Sequence, residues 1–272
     1  MRGFTLSVPT YGQRLLWLAL LVGAIIAFDA HVEYGELPKA NTVSVLGLLL
    51  PLEWADSRLV FWSRAIFLLS GTLWGLRIGV PWSSWGATFS YTLLISVYWE
   101  NLPWFRHKFV LPNLIFFVLA FWYQFYRSEI RAARDWKDFF RTPLEPSWVR
   151  SLSSWSLVMF YGLSGVSKVI GGWTLLDGTS LQLWFHLMVE PGHPLREAVI
   201  HSQGLAAFLQ TGAWLVELSS FLVLFWGWYR LPLAVLLSCF HLTVQWTFGI
   251  PFLTNIPLIW AILDPRRKGD RN

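Results

Sequence analysis

Long apolar runs separated by short polar stretches dominate this sequence. A helix that crosses a bilayer needs about 20 apolar residues, with a range of about 17–25. Against that length, the runs predict about eight helices, over 13–28, 59–80, 83–99, 109–126, 149–170, 204–227, 231–248 and 250–264. They are continuous, whereas the strands of a transmembrane barrel alternate over roughly ten residues. The expected fold class is therefore all-α, a polytopic transmembrane helical bundle. It forms a single domain over 1–272, since eight such helices leave no room for a separate soluble domain. The run Thr42–Leu52, with Pro51 near its end, is too short to span and reads as interfacial or re-entrant. Arg2 and Arg14 ahead of Leu15–Phe28 give the first helix the outline of a signal peptide. Ala27-Phe28-Asp29-Ala30 lacks a small-x-small cleavage pattern, so a retained helix is expected.

Composition supports the membrane reading. Apolar residues make up 55% of the chain and charged residues 14%, against roughly 25% charged in soluble domains. The mean hydropathy is +0.47. Nineteen Trp, 21 Phe and 8 Tyr are too many for one soluble core of this size, and they suit interfacial belts and bundle packing. The net charge of +5 would suggest nucleic acid in a soluble protein, but no basic run here is interleaved with aromatics outside the apolar runs. Nucleic acid is excluded as a partner, and membrane lipids are the expected one. The single Cys239 rules out an internal disulfide.

Loop charge then sets the orientation. Arg127, Arg131, Arg134, Lys137, Arg141 and Arg150 crowd one loop, and Arg266, Arg267, Lys268 and Arg271 crowd the tail. Segment 29–58 is mainly acidic (Asp29, Glu33, Glu36, Glu53, Asp56), and 171–203 holds Asp177, Glu190 and Glu197 against Arg196. The positive-inside rule places both termini in the cytoplasm. The turn with Arg106 and Lys108 is the one violation.

An ionisable residue inside a bilayer costs about 2.5–3.5 kcal/mol or more, so each one marks a candidate site. Arg64, Glu100, Asn113 and Lys168 fall near outer helix ends, and Glu217 and His241 fall near mid-depth. Lys168 lies in YGLSGVSKVIGGWTLLDGTSL, where small residues permit close helix contact. Asp177-Gly178-Thr179 has the form of an N-cap to a following amphipathic helix. Lys168 has two readings: a general base desolvated by close-packed neighbours, or a side chain snorkelling to the headgroups. Glu217 and His241 each lie 12 residues from Tyr229, about 18 Å along antiparallel helices. That places them at matched depth, either as a proton-relay pair or as an interhelical fastener. His186, His193 and His201 recur at seven and eight residues, but Pro191 and Pro194 break any shared helix. They read as exposed loop histidines, and no metal site is expected.

The pattern YGLSGVSK…GGW…LDGTSL, Glu217 in WLVELSSFLVLF and Phe240-His241 in CFHLTVQW together resemble the HTTM superfamily. These are bacterial multi-helix membrane proteins related to the transmembrane part of vitamin K-dependent gamma-carboxylase. The motifs occupy about 149–250. The resemblance implies a multi-pass protein of the bacterial inner membrane with a site open to the extracytoplasmic side. It implies Lys168 as a base that deprotonates a reduced quinone, in carboxylase- or epoxidase-like or lyase-like chemistry. Arg64, Glu100, Asn113 and Asp177 are the other candidate pocket residues. The substrate would be lipophilic or an exported peptide. Ser167 precedes a single lysine where the carboxylase has a lysine pair, and the sequence has no counterpart of its substrate-binding domain. Glutamate carboxylation is therefore not implied. The alternative is a non-catalytic membrane protein for binding, maturation, transport of, or immunity to, a small molecule or secreted peptide.

Overall fold

The computed structural model describes residues 11–29, 57–101, 107–125, 147–173, 177–248 and 253–263. Among these, every regular element is helical. The helices are α1 (Tyr11–Asp29), α2 (Ser57–Gly75), α3 (Trp82–Asn101), α4 (His107–Phe125), α5 (Ser147–Lys168), α6 (Thr179–Met188), α7 (Pro194–His201), α8 (Gln203–Leu218), α9 (Arg230–Phe248) and α10 (Ile256–Leu263). Each of the eight predicted helices has a counterpart. The stretch 42–52, most of the basic loop and the tail lie outside the described residues.

Two segments of 22 residues, Gln203–Leu224 and Gly227–Phe248, are long and apolar enough to cross a membrane. The chain divides into two compact units, Met1–Ser153 and Ser154–Asn272. The boundary between the two units falls within α5.

In the first unit, α2 and α3 form an antiparallel hairpin whose turn holds Arg77 at a positive φ of 59°. An aromatic cluster fills its centre. Phe67 lies 5.0 Å from Tyr91 and 5.6 Å from Phe116, and Trp74 lies 5.7 Å from Tyr123. All five rings are buried, and tilted or edge-on pairs of this kind add about 0.5–1.5 kcal/mol each beyond area burial. Gly12 and Gly23 let α1 approach Trp122 and the Phe67–Phe116 pair, where a Cβ would clash. Here Asn113 accepts a hydrogen bond from Thr92 Oγ1 at 2.9 Å.

In the second unit, α5 and α8 run antiparallel. Val158 faces Ser220, Gly165 faces Leu218, and Lys168 faces Glu217. α5 ends at this level, while α8 reaches back another 14 residues to Gln203, about 21 Å. Against that overshoot pack the two short helices α6, the amphipathic helix expected after Asp177-Gly178-Thr179, and α7. Leu181, Phe185, Val189, Val199 and Ala206 form their core, with Trp173 and Phe248 against it. Pro194 opens α7 at its first turn, where a missing N–H costs nothing.

Candidate functional site

Lys168 is the last α-helical residue of α5. Its ammonium donates to both carboxylate oxygens of Glu217, at 2.6 and 2.5 Å, and to Ser164 Oγ at 3.2 Å. The lysine side chain is 22% exposed and the glutamate 5%. This corrects the snorkelling alternative, because the charge turns inward to a counter-charge. It also corrects the depth read from the sequence, since Lys168 and Glu217 share one level where α8 outruns α5. The Trp173 ring centroid lies 5.7 Å from the Lys168 ammonium, within cation–π range.

The direct Glu217–His241 pair expected from matched depth is replaced by two pairs. Glu217 takes Lys168, and His241 Nε2 lies 2.5 Å from the hydroxyl of Tyr161. Both members of this second pair are buried. The two pairs share one face of α5, which carries both Tyr161 and Lys168. Four polar residues from α5, α8 and α9 therefore form one cluster. Spacing explains it: Tyr161, Ser164 and Lys168 recur at i, i+3 and i+7, one face of α5.

Backbone geometry changes at this level on both helices. After Lys168 the chain winds as a π-helix over Val169–Trp173, with Gly172 at φ 85°. After Leu218, the residue following Glu217, it tightens to a 3-10 helix over Ser219–Leu224. Glycine makes the approach possible. A Cβ on Gly165 would stand 2.9 Å from the backbone nitrogen of Leu218, and one on Gly162 would strike the Phe221 ring.

Asp177 does not join the cluster; its Oδ1 accepts from Thr179 N–H at 3.0 Å, at the start of α6 as the sequence suggested. The residue at the cap position itself is Gly178, in left-handed geometry. Arg64 (half-buried on α2), Glu100 (last turn of α3) and Asn113 all belong to the first unit. Of the three histidines, His193 lies in the link before α7 as expected, while His186 and His201 are exposed as expected but lie within helices. His186 lies in α6, His193 accepts from Leu195 N–H at the start of α7, and His201 lies 3.3 Å from Glu197. Among the described residues no group of three His, Cys, Asp or Glu side chains could hold a metal ion.

Two residues escaped the sequence reading. Tyr161 is the partner of His241, and its place seven residues before Lys168 was the available signal. Gln210 is fully buried; it accepts from Leu181 N–H at 3.0 Å and donates to Trp173 C=O at 2.7 Å. It thereby ties α6 to the end of α5. No known protein family, curated protein or solved structure matches this chain.

Proposed function

We propose that this chain is a multi-pass membrane protein of the HTTM kind, related in type to the transmembrane core of gamma-carboxylase. In this reading it spans the bilayer about eight times with both termini in the cytoplasm. It acts on a lipophilic or exported peptide substrate at the extracytoplasmic side, with Lys168 as base. The membrane placement is supported by large apolar side chains left bare, among them Trp82 (83% exposed) and Phe225 (77%). Exposure on that scale suits lipid rather than water.

The Lys168–Glu217 contact carries the functional reading. An ammonium and a carboxylate this close become an uncharged amine and acid when one proton crosses the hydrogen bond between them. In low dielectric the uncharged pair avoids the desolvation cost of two ions. Lys168 Nζ then accepts a proton from substrate, and Glu217 holds the proton that the lysine released. A reduced quinone, the group the resemblance brings, fits here in that the Trp173 ring offers a face beside the amine; bound there, it would supply an acidic hydroxyl.

Lys168→Arg is the decisive variant. Arginine keeps the positive charge and the carboxylate partner, but it does not release a proton in a protein. Comparative mass spectrometry of membrane lipids and exported peptides should show a product lost in that variant at unchanged protein level. Identical profiles for wild type and Lys168→Arg would overturn the base.

The loss of α geometry immediately after Lys168 and Glu217 favours a second reading, transport or binding without chemistry. Transporters place substrate sites at discontinuous helices. Under that reading Lys168→Arg retains activity, so the same experiment separates the two.

A further inference from the structure

Trp214 and Gln245 extend the polar stripes of α8 and α9 by one turn beyond the cluster. Trp214 lies three residues before Glu217, and Gln245 four residues after His241. Because α8 and α9 run antiparallel, both offsets point the same way, about 5–6 Å toward the end covered by α6 and α7. That direction is fixed by Phe248, whose ring lies 5.1 Å from Phe185 of α6, and by Gln210, one turn beyond Trp214. Among the described residues, Trp214 Nε1 and Gln245 Oε1 are both buried without a hydrogen-bond partner. A buried donor and a buried acceptor left unmet both cost stability. The helical offsets put them on adjacent helices, each one turn past a member of the cluster, Glu217 or His241.

We propose that Trp214 and Gln245 bind the polar head of a small uncharged amphiphile that carries a carbonyl oxygen beside a hydroxyl. The indole N–H of Trp214 donates to the carbonyl, and the Gln245 side-chain oxygen accepts from the hydroxyl. The head is uncharged because Lys168 and Glu217 already balance each other. A carboxylate or phosphate brought to this level would leave a buried charge uncompensated. The ligand is an amphiphile because the side chains flanking the level are apolar and bare: Ile170 follows Lys168, Trp246 follows Gln245, and Phe208 lies on the overshooting half of α8. This deepens the reading above and rests on it in one respect, that Lys168 faces the bound molecule.

The test is equilibrium binding of tritiated monoolein to the full chain in nanodiscs, measured by scintillation proximity. Methyl oleate (no hydroxyl), oleyl alcohol (no carbonyl) and oleate (anionic) serve as competitors. Monoolein should displace the label at least tenfold better than each of the three. Gln245→Leu should bring monoolein and methyl oleate to equal affinity, and Trp214→Phe should do the same for monoolein and oleyl alcohol. Equal displacement by all four compounds on the wild-type protein overturns the inference, and this arm needs no variant to fold. A uniform loss across all ligands in both variants also overturns it. Lys168→Arg should retain the selectivity. Unchanged cellular products in that variant, with selectivity intact, would sink the base and leave this site standing.

Discussion

At the scale of single residues, Lys168 and Glu217 are governed by two opposed terms. Removing both ions from water costs several kcal/mol each, and their attraction returns most of that only with good geometry. Glu217→Leu alone should therefore destabilise the protein by about 3–5 kcal/mol, because it strands the ammonium. The double variant Lys168→Met with Glu217→Leu should return to near wild-type stability, as read by thermal unfolding in detergent. A double variant no more stable than the single one would show that the pair is not an isolated compensation of charges. Gly165 sets the approach on which the pair depends. Gly165→Ala should push α5 from α8 and weaken the Lys168–Glu217 bond, detectable as faster labelling of Lys168 by an amine reagent. Lys168 was legible in the sequence as a rare charge in an apolar run. Its partner was not, because helical spacing gives the face and depth of a side chain but leaves open which helix lies opposite.

At the scale of elements, α6, α7 and the overshooting half of α8 share a small core that Gln210 fastens to the end of α5. Gln210→Leu removes the partners of Leu181 N–H and Trp173 C=O. Its cost is about 1–3 kcal/mol for each group left buried and unmet. Hydrogen exchange should quicken across residues 179–201 while α9 stays protected; uniform exchange would refute the fastening role. Gly178 holds a φ of 72° with Ala207 N only 2.5 Å from where a Cβ would stand. Gly178→Ala should cost about 1–3 kcal/mol from the backbone conformation alone, again measured by thermal unfolding. The Asp177-Gly178-Thr179 start of α6 could be read from composition, since Asp accepts from early helical N–H groups. The second short helix could not, because the prolines at 191 and 194 marked a break without saying that a helix resumed.

At the scale of the whole molecule, orientation is the property to test. With Cys239→Ser as background, single cysteines replacing Glu190 and Arg267 should be labelled from opposite faces of intact cells, the first from outside. Labelling of both from one face would overturn an arrangement with Glu190 outside and the tail inside. The apolar runs by themselves determined that the chain is helical and roughly where each helix lies. A run of that length in a charge-poor sequence satisfies its backbone only by coiling on itself. Charge along the loops carried the expected orientation for the same local reason. Only the tertiary structure decided that Glu217 belongs to Lys168 and His241 to Tyr161. Those choices depend on where α5 stops against α8, a length difference between two elements 49 residues apart in the pair they bring together. No local pattern encodes that difference, because it is fixed by glycine contacts and by the short helices that occupy the space beyond the end of α5.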